Sequence, residues 1–382
     1  MPFASSLSEH PVASQATGEV AGAVLESLGE RPDLVVVTAT RPHAGVMPDI
    51  VATVAAVLHP LALVGGVAES VVGTGHEIEE TPAISLWAGR VGPLAPVQVS
   101  ATRLADDTWH FAGWPDRIGF DPRALLLLAD PFTFPAQEFL AWLHHVRPGL
   151  PVIGGNVSGG RGPGGTTLVV GERVVTAGAT GVILGAGVDV ETVVSQGCRA
   201  YGSPLTVTRS DRNVIHEVAG MPAMECMVDQ IRSSLDPADI AGIEANGLFV
   251  GRLIDEYVED PGPGDFLVRT VVGADRTTGA VAVDDRVPVG STVRFHLRDA
   301  ETADRELATL LQGRQANAAL MFSCNGRGTR LFDDAHHDAL MLSGAVGPIP
   351  LAGFLAAGEI GPIGGQNFVH AFTASVALFR DR

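Results

Sequence analysis

Two charged residues near the C-terminus, Arg327 and Glu359, each lie in a glycine-rich turn that follows a short apolar run. Such turns bring backbone N–H groups close to whatever lies above them. If the two turns face each other, one pocket holds a fixed cation and a fixed anion, which suits a small zwitterionic ligand. The same two side chains could instead form an internal ion pair that holds two loops together.

The chemistry of the two turns predicts how a ligand would be held. Arg327 could bind a carboxylate or phosphate through two parallel hydrogen bonds, and Glu359 could accept an ammonium or hydroxyl group. His370, in a predicted strand over residues 368–372, is the histidine best placed near the turns because it follows Glu359 closely. The predicted ligand-binding residues are Ser323, Cys324, Asn325, Gly326, Arg327, Gly328, Gly358, Glu359 and His370.

Cys324 ends an apolar run just before the first turn, where a thiol could be exposed. A nucleophilic cysteine needs a base or a positive electrostatic field. Arg327 could supply the field, and His336 or His370 could be the base if the fold brings either near. The alternative is a buried thiol that packs as a small apolar side chain. We predict no catalytic residue, and a Cys324-dependent enzyme acting on a small metabolite remains the alternative function.

Histidine and cysteine spacing does not indicate a metal site. The pairs His144–His145 and His336–His337 lie in predicted helices, where neighbours point about 100° apart, so neither pair makes one site. Cys198, Cys226 and Cys324 are far apart, and the chain has no Cys-x-x-Cys, so neither a zinc knuckle nor a disulfide framework is indicated. No metal or cofactor is predicted, although a single histidine could still bind haem.

A glycine-rich segment at residues 154–161 resembles a phosphate-binding loop at first sight. It lacks a Gly-x-Gly-x-x-Gly pattern that opens a helix, and no lysine follows it. We interpret it as a flexible connection. A lid, or a second ligand contact through Asn156, Ser158 and Arg161, is the alternative.

Composition limits the class of protein. A length of 382 residues indicates two domains, and 46% hydrophobic residues allow a large core. The formal charge of −18 argues against a nucleic-acid surface and against an anionic membrane surface. The chain has no lysine, which excludes Schiff-base and Walker-type lysines and, with its Ala, Gly, Val and Arg content, suggests a high-GC bacterial source. No signal peptide or membrane-spanning run is evident, so we expect a soluble cytoplasmic protein.

Three segments of the chain share one order of predicted elements, which is the signature of an internal repeat. Each has a strand, a helix, a second strand with glycine near its end, a turn of small residues and a third strand. The first strands are at 34–38, 125–129 and 318–322; the second at 63–66, 152–155 and 351–354; and the third at 83–87, 181–184 and 374–379.

The remaining pattern completes the predicted architecture. Within the repeats, helices are predicted over 50–58, after Thr133, and from Asp333 or Asp334 to Gly344. Other predicted elements are a helix ending at Gly29, helices from Pro222 and over 303–312, a hairpin of 266–272 with 280–283, and a strand at 293–297. The polar stretch 208–213 is the best domain boundary. The fold class is α/β, with two related domains built from repeated strand–helix–strand–strand units and mixed sheets.

Three motifs in this order resemble the FIST domain, a sensory module with an N-terminal and a C-terminal part. Residues 323–328 resemble the family's Cys-x-Gly-Arg-Gly turn, and residues 358–362 are similar to its Gly-Glu-Ile-Gly turn. Residues 195–202 and 213–223 look like the junction between the two parts. One departure is at residues 65–70, where the family often has Gly-Cys-Ser/Thr-x-Gly-Glu; this chain reads Gly-Gly-Val-Ala-Glu-Ser, with no cysteine and no second glycine directly before Glu69.

The resemblance implies a FIST N-type domain over residues 1–210 and a FIST C-type domain over residues 211–382. It also implies a sensory function in signal transduction, with an amino acid or similar small zwitterion as ligand. Since no output domain is evident, the signal would pass to a separate signalling protein or through self-association. Some family members are described as haem-based gas sensors, which is a further alternative. The earlier repeats lack the paired charges, so we expect them to be scaffold, lid or partner surface.

Overall fold

A computed structural model describes residues 2–262 and 264–381, apart from the side chains of residues 244 and 245. The chain forms two compact units. One contains the residues up to Val194 and those from Ala308 onward, and the other is Ser195–Leu307. The α/β class with mixed sheets is confirmed.

The elements follow one another along the chain as follows. The N-terminal part contains β1 (Phe3–Ser8), α1 (Ala13–Leu28), β2 (Leu34–Thr40), α2 (Met47–Leu58), β3 (Ala62–Ala68), β4 (Ser70–Gly73), β5 (His76–Glu79), β6 (Ile84–Gly89), β7 (Leu94–Arg103), β8 (Trp109–Ala112), β9 (Ala124–Ala129), α3 (Ala136–Val146), β10 (Val152–Asn156), β11 (Leu168–Val170), β12 (Arg173–Val175), β13 (Ala179–Leu184) and β14 (Asp189–Ser195). The middle part contains β15 (Cys198–Asp211), β16 (Val214–Val218), β17 (Met221–Pro222), α4 (Ala223–Ser234), α5 (Pro237–Asn246), β18 (Phe249–Leu253), β19 (Phe266–Asp275), β20 (Ala280–Val283), β21 (Thr292–Arg298) and α6 (Ala300–Leu311). The C-terminal part contains β22 (Ala318–Cys324), α7 (His337–Val346), β23 (Leu351–Ala356), β24 (Glu359–Ile363), β25 (Gln366–His370) and β26 (Ala374–Arg380), and short 3₁₀ helices lie at Arg41–Val46 and Gly328–Arg330.

All three predicted repeats are present, and all three lie in the first unit. In each repeat the first two strands are parallel and joined by a helix: β2 with β3, β9 with β10, and β22 with β23. The third strand returns antiparallel to the first, as β6, β13 and β26. The repeat predicted from the sequence is therefore confirmed.

One glycine recurs in the second strand of each repeat: Gly65, Gly154 and Gly353. Their φ angles are 158°, 151° and 150°. A Cβ at any of them would overlap the carbonyl oxygen of the adjacent first strand, which belongs to Val37, Leu127 or Met321. Glycine is required because only it can lie so close to a neighbouring backbone in this conformation.

The hairpin that follows each second strand does not stay in its own repeat. The β4–β5 hairpin of the first repeat pairs with β23 of the third, and the β11–β12 hairpin of the second pairs with β3 of the first. The β24–β25 hairpin of the third repeat pairs with β10 of the second. The three repeats therefore exchange hairpins in a closed cycle, which joins distant parts of the chain into one unit.

The first strands of the repeats, β2, β9 and β22, are buried along their whole length. In β2, Val36 faces a core shared by the three repeats, while Val35 and Val37 pack against α1 and α2. In β9, Leu126 faces the shared core, and Leu125 packs with α3 on the opposite face. Burial on both faces explains why these strands read as continuous apolar runs without polar alternation.

The second unit contains an antiparallel sheet in the order β15-β21-β18-β19-β20-β16-β17. The predicted hairpin of β19 with β20 and the helix after Pro222 are confirmed. The polar stretch 208–213 includes the end of β15 and the turn to β16, which pair with each other inside this unit. The domain boundary at residue 210 that depends on this stretch stays a prediction.

The start of α7 differs from the expectation. The helix begins at His337, and neither Asp333 nor Asp334 caps it, because His336 before it has a left-handed φ of 64°. A side chain from the first repeat accepts a backbone hydrogen bond from the first turn of the helix instead: the N–H of Ala339 donates to Glu77 Oε1 at 2.8 Å. None of the described helices is long and apolar enough to cross a membrane.

Candidate functional site

Arg327 is held by Asp338, a residue that the sequence reasoning did not select. Arg327 lies in the turn after β22, and Asp338 lies in the first turn of α7. Arg327 Nε donates to Asp338 Oδ2 at 2.7 Å, and Arg327 Nη2 donates to Asp338 Oδ1 at 2.8 Å. The two side chains are 0% and 1% exposed. The pair is therefore a buried bidentate ion pair.

Further contacts complete the surroundings of the ion pair. The Ser323 hydroxyl donates to Asp338, whose other oxygen lies 3.1 Å from Nδ1 of His337. The guanidinium carbon of Arg327 lies 5.2 Å from the centre of the Phe332 ring, on which the His337 ring stacks. A cation over an aromatic face is attracted by the ring quadrupole. These contacts fix the geometry of the pair.

The charges of the pair support each other. Burial alone would lower the pKa of Arg327, but the Asp338 carboxylate raises that pKa above its ordinary value. Burial alone would raise the pKa of Asp338, but the Arg327 charge and its hydrogen bonds lower that pKa below its ordinary value. Both groups are therefore ionised at neutral pH, and their charges cancel.

Glu359, the predicted anion, has a different environment. It begins β24, where its backbone lies opposite Gly155 and His370. Its side chain is fully buried, Oε2 accepts the N–H of Thr373 at 2.9 Å, and the Cys324 thiol is hydrogen-bonded to the carboxyl. Burial raises the pKa of Glu359 from its ordinary 4.5 to about 8, against weaker lowering by these hydrogen bonds and by Arg327. Glu359 is therefore largely protonated at neutral pH.

A second buried acid, Glu77, comes from the exchanged hairpin of the first repeat. It contacts the start of α7 through Ala339, and its backbone N and O lie 3.0 and 2.8 Å from Nδ1 of His336. Burial, reinforced by the nearby Asp338 carboxylate, raises the pKa of Glu77 above its ordinary value. The raised pKa values of Glu77 and Glu359 favour the neutral form of both acids.

Three buried polar atoms of the two turns and of the adjoining Asn156 have no hydrogen-bond partner among the described residues, and Glu77 Oε2 beside the start of α7 has none either. Within residues 2–262 and 264–381, no hydrogen-bond partner lies within reach of Arg327 Nη1, Glu359 Oε1 or Asn156 Oδ1. Asn156 is tied to the Glu359 turn because its N–H donates to Gly358 O at 2.8 Å and its carbonyl accepts from Ala357 at 2.9 Å. An unpaired buried polar group costs about 1–3 kcal/mol, so such groups point to a bound small molecule or water. We call Arg327, Glu359, Asn156 and Cys324 the inner cluster.

The predicted site residues are only partly brought together. Ser323, Cys324, Arg327, Gly358 and Glu359 lie within or beside the inner cluster. Asn325 donates its N–H to Ala356 O, and Gly326 donates its N–H to the Cys324 sulfur at 3.4 Å. Gly328 instead packs against Glu79, whose carboxylate accepts the N–H of Thr329 at 2.9 Å. A two-pronged grip of Arg327 on a ligand is not available in this structure, because Asp338 already occupies Nε and Nη2.

The two histidines considered as bases for Cys324 both have backbone contacts. His336 lies beside the Glu77 backbone, and His370 Nε2 lies 3.0 Å from Gly361 O. The Cys324 thiol is hydrogen-bonded to the Glu359 carboxyl, and the Cys324-dependent enzyme stays an alternative prediction. Among the described side chains, no group of three or more His, Cys, Asp or Glu residues is arranged to hold a metal ion. Haem binding stays a prediction.

The inner cluster occupies one of three equivalent positions. The equivalent residues at the end of the first strand of each repeat are Thr40, Asp130 and Cys324. In each repeat, the backbone N–H of this residue donates to the carbonyl oxygen of the residue before the third strand, which is Ala83, Gly178 or Thr373. The Thr40 and Asp130 side chains bond to neighbouring loops of their own repeats. At the position equivalent to Glu359, the first repeat has Val71, opposite Phe354. Only the third position therefore combines a thiol with a buried acid.

The raised pKa of Glu359 predicts a pH dependence of stability. The folded protein retains a proton that the unfolded chain releases above pH 4.5, so the free energy of unfolding should fall between pH 4.5 and about 8. The expected slope per carboxyl is up to about 1.4 kcal/mol per pH unit. Glu359→Gln should remove its share of this slope in urea unfolding followed by tryptophan fluorescence. All four tryptophans lie in the repeat unit, so the signal reports on it.

The matched control is Glu26→Gln, which removes an exposed carboxylate from α1. It should leave the wild-type slope unchanged. A Glu359→Gln protein with the full wild-type slope would show that Glu359 is ionised in the folded state at neutral pH.

The fold and the site define an α/β protein in which three interleaved repeats enclose a buried, ionisable cluster. Residues 33–221 match the FIST N domain, and residues 223–362 match the FIST C domain. The chain belongs to the FIST family, as the three sequence motifs indicated, and FIST domains are associated with sensory signal transduction. The compact units do not follow the FIST N and FIST C boundaries, because the third repeat lies in the same unit as the first two.

Relatives match almost the full length of the chain. An uncharacterized protein of Mycobacterium bovis is 41% identical over 379 residues, which cover 97% of each chain. An uncharacterized protein of Mycobacterium tuberculosis is 40% identical over 382 residues, which cover 98% of each chain. Their names state no ligand or activity.

Proposed function

We propose that this protein is a sensor that binds a small polar ligand of zero net charge, such as an amino acid, at the inner cluster. The observation that carries the proposal is the group of unpaired buried atoms on Arg327, Glu359 and Asn156. A ligand with an acceptor for Arg327 Nη1 and a donor for Asn156 Oδ1 would satisfy groups that otherwise remain desolvated. Binding would then recover several kcal/mol of desolvation cost.

The charge of the cluster supports a ligand of zero net charge. Arg327 and Asp338 cancel each other, and the proton on Glu359 keeps that acid neutral. A ligand with a net charge would bring an uncompensated charge into a dry interior, which is costly. A zwitterion or an uncharged amide avoids that cost. An ammonium group placed against Glu359 would favour the ionised carboxylate and release a proton.

Arg327 would not bind a ligand carboxylate through two parallel hydrogen bonds. One nitrogen of Arg327 remains for the ligand, so the anchor is a single charge-assisted hydrogen bond. Glu359 and Asn156 would supply the other polar contacts. We propose that the ligand is bound without being converted, and that the signal passes to a separate signalling protein or through self-association.

A thermal-shift screen of amino acids, small carboxylic acids and amides tests this function. A compound present at about 100 times its Kd should stabilise the protein by about 2.7 kcal/mol. The shift should disappear in Asn156→Val and shrink in Glu359→Gln. Glu77→Gln is the control for loss of a buried acid, since it changes only the unpaired oxygen of Glu77 and leaves the three unpaired atoms of the inner cluster in place. A ligand that stabilises Asn156→Val and Glu359→Gln as strongly as the wild type would place binding elsewhere.

A further inference from the structure

Four charged side chains form a second layer outside the inner cluster. Arg41 Nη1 lies 3.2 Å from Glu69 Oε1, and Arg330 Nη2 lies 3.3 Å from the same oxygen and 2.7 Å from Glu80 Oε1. Glu69 is thus shared by two arginines, and the charges alternate in sign. We call Arg41, Glu69, Glu80 and Arg330 the outer ring.

The outer ring ties together segments from all three repeats. Arg41 follows β2 of the first repeat, and its Nε and Nη2 donate to Gly159 O and Ser158 O of the second, both at 3.0 Å. Arg330 in the third repeat donates through Nη1 to Asn325 O at 2.8 Å. The Glu69 N–H donates to the Ser158 hydroxyl at 2.9 Å. These are the segments in which the strands of the three repeats end.

The outer ring lies directly beside the inner cluster along the chain. Ser158 is two residues beyond Asn156, and Asn325 separates Cys324 from the turn that carries Arg327. The inner side chains are buried, with Arg327 and Glu359 at 0% and Cys324 at 6% exposure. The outer ring is partly exposed, with Glu69 at 14% and Arg330 at 46%. The outer ring is therefore the more exposed of two neighbouring layers at this edge of the sheets.

We propose that the outer ring is a gate, and that breaking the contacts of Glu69 opens the path from solvent to the inner cluster. This inference rests on the proposed function for its purpose. Partly exposed ion pairs suit a gate, since each contributes only about 0.2–1 kcal/mol and salt weakens it. Because Glu69 is the shared partner, its loss removes one ion pair from Arg41 and one from Arg330 at the same time. The gate is a positioning device, and no ring residue needs to contact the ligand.

Alkylation of Cys324 by iodoacetamide tests the gate without any ligand. In Glu69→Gln, we expect Cys324 to be labelled about tenfold faster than in the wild type, because losing two such pairs corresponds to about a factor of ten. Labelling is read for each cysteine by peptide mass spectrometry. Cys226, which is buried in the second unit, is the internal control and should keep its rate. Glu30→Gln, which breaks the exposed pair with Arg90, is the matched control and should leave Cys324 unchanged.

A salt series on the wild type tests the same gate if Glu69→Gln folds poorly. Raising sodium chloride from about 0.1 to about 1 M shortens the Debye length from about 10 to about 3 Å, so Cys324 labelling should accelerate. Labelling of Cys324 that responds to neither change would overturn the gate, as would equal acceleration at Cys226. A failed ligand screen would sink the proposed function and leave this result intact. If the screen finds a ligand but Cys324 labelling responds to neither change, the ligand reaches the inner cluster by another route and the gate proposal is wrong.

Discussion

Replacing Arg327 with methionine is expected to lower the free energy of unfolding of the repeat unit by about 3–5 kcal/mol. The substitution leaves the Asp338 carboxylate buried at 1% exposure without its bidentate partner. Removing one partner of a buried ion pair is strongly destabilising, because the remaining charge is desolvated and uncompensated. Replacing both partners by apolar residues costs much less. Urea unfolding followed by tryptophan fluorescence measures the loss.

Two variants show whether the cost comes from the abandoned charge. Arg90→Met breaks the exposed pair with Glu30 and should cost less than about 1 kcal/mol. The double variant Arg327→Met with Asp338→Leu removes both charges and should recover a substantial part of the loss. A single Arg327→Met change that costs under about 1 kcal/mol would mean that solvent reaches Asp338 freely, against its burial.

Gly353→Ala should be still more damaging, with a loss above about 4 kcal/mol or no folded protein. The added Cβ overlaps the carbonyl oxygen of Met321, and the φ of 150° is one that residues with a side chain rarely adopt. The obstacle is backbone in the adjacent parallel strand, which cannot move without breaking the sheet. Yield of soluble protein and urea unfolding measure the effect. The same result is expected at Gly65 and Gly154.

Gly344→Ala is the matched control for these three positions. Gly344 lies within α7, and a Cβ there would meet nothing within 4 Å. Alanine should stabilise the helix by about 0.5–1 kcal/mol, because glycine loses more conformational freedom on folding. If Gly353→Ala were as well tolerated as Gly344→Ala, the close approach of β22 and β23 would be wrong.

The predicted site changes in one important respect. Arg327 and Glu359 were expected either to hold a ligand between them or to pair with each other. In the structure Arg327 forms an ion pair with Asp338, and the Glu359 carboxyl is hydrogen-bonded to Thr373 and Cys324. Asp338 lies eleven positions beyond Arg327 in a helix that is otherwise largely apolar. That isolated acid is the one sequence feature that could have signalled the pair.

Local signals in the sequence were sufficient for the repeats. The apolar runs at 34–38, 125–129 and 318–322 predicted strands, and all three are strands. The glycine near the end of each second strand marked the same position three times. The motif turns at 323–328 and 358–362, taken together with the junction residues 195–202 and 213–223, indicated the family. Periodicity and turn chemistry act over a few residues, so they can be read along the chain.

Only the tertiary structure decided which parts of the chain meet. Hairpin exchange between the repeats puts β24 beside β10 and β4 beside β23. Glu77 therefore reaches the start of α7, and Asn156 lies beside the Glu359 turn across about two hundred residues of chain. Burial then sets the protonation of Glu359. Such pairings depend on which strand edges find each other, and no local pattern encodes that choice.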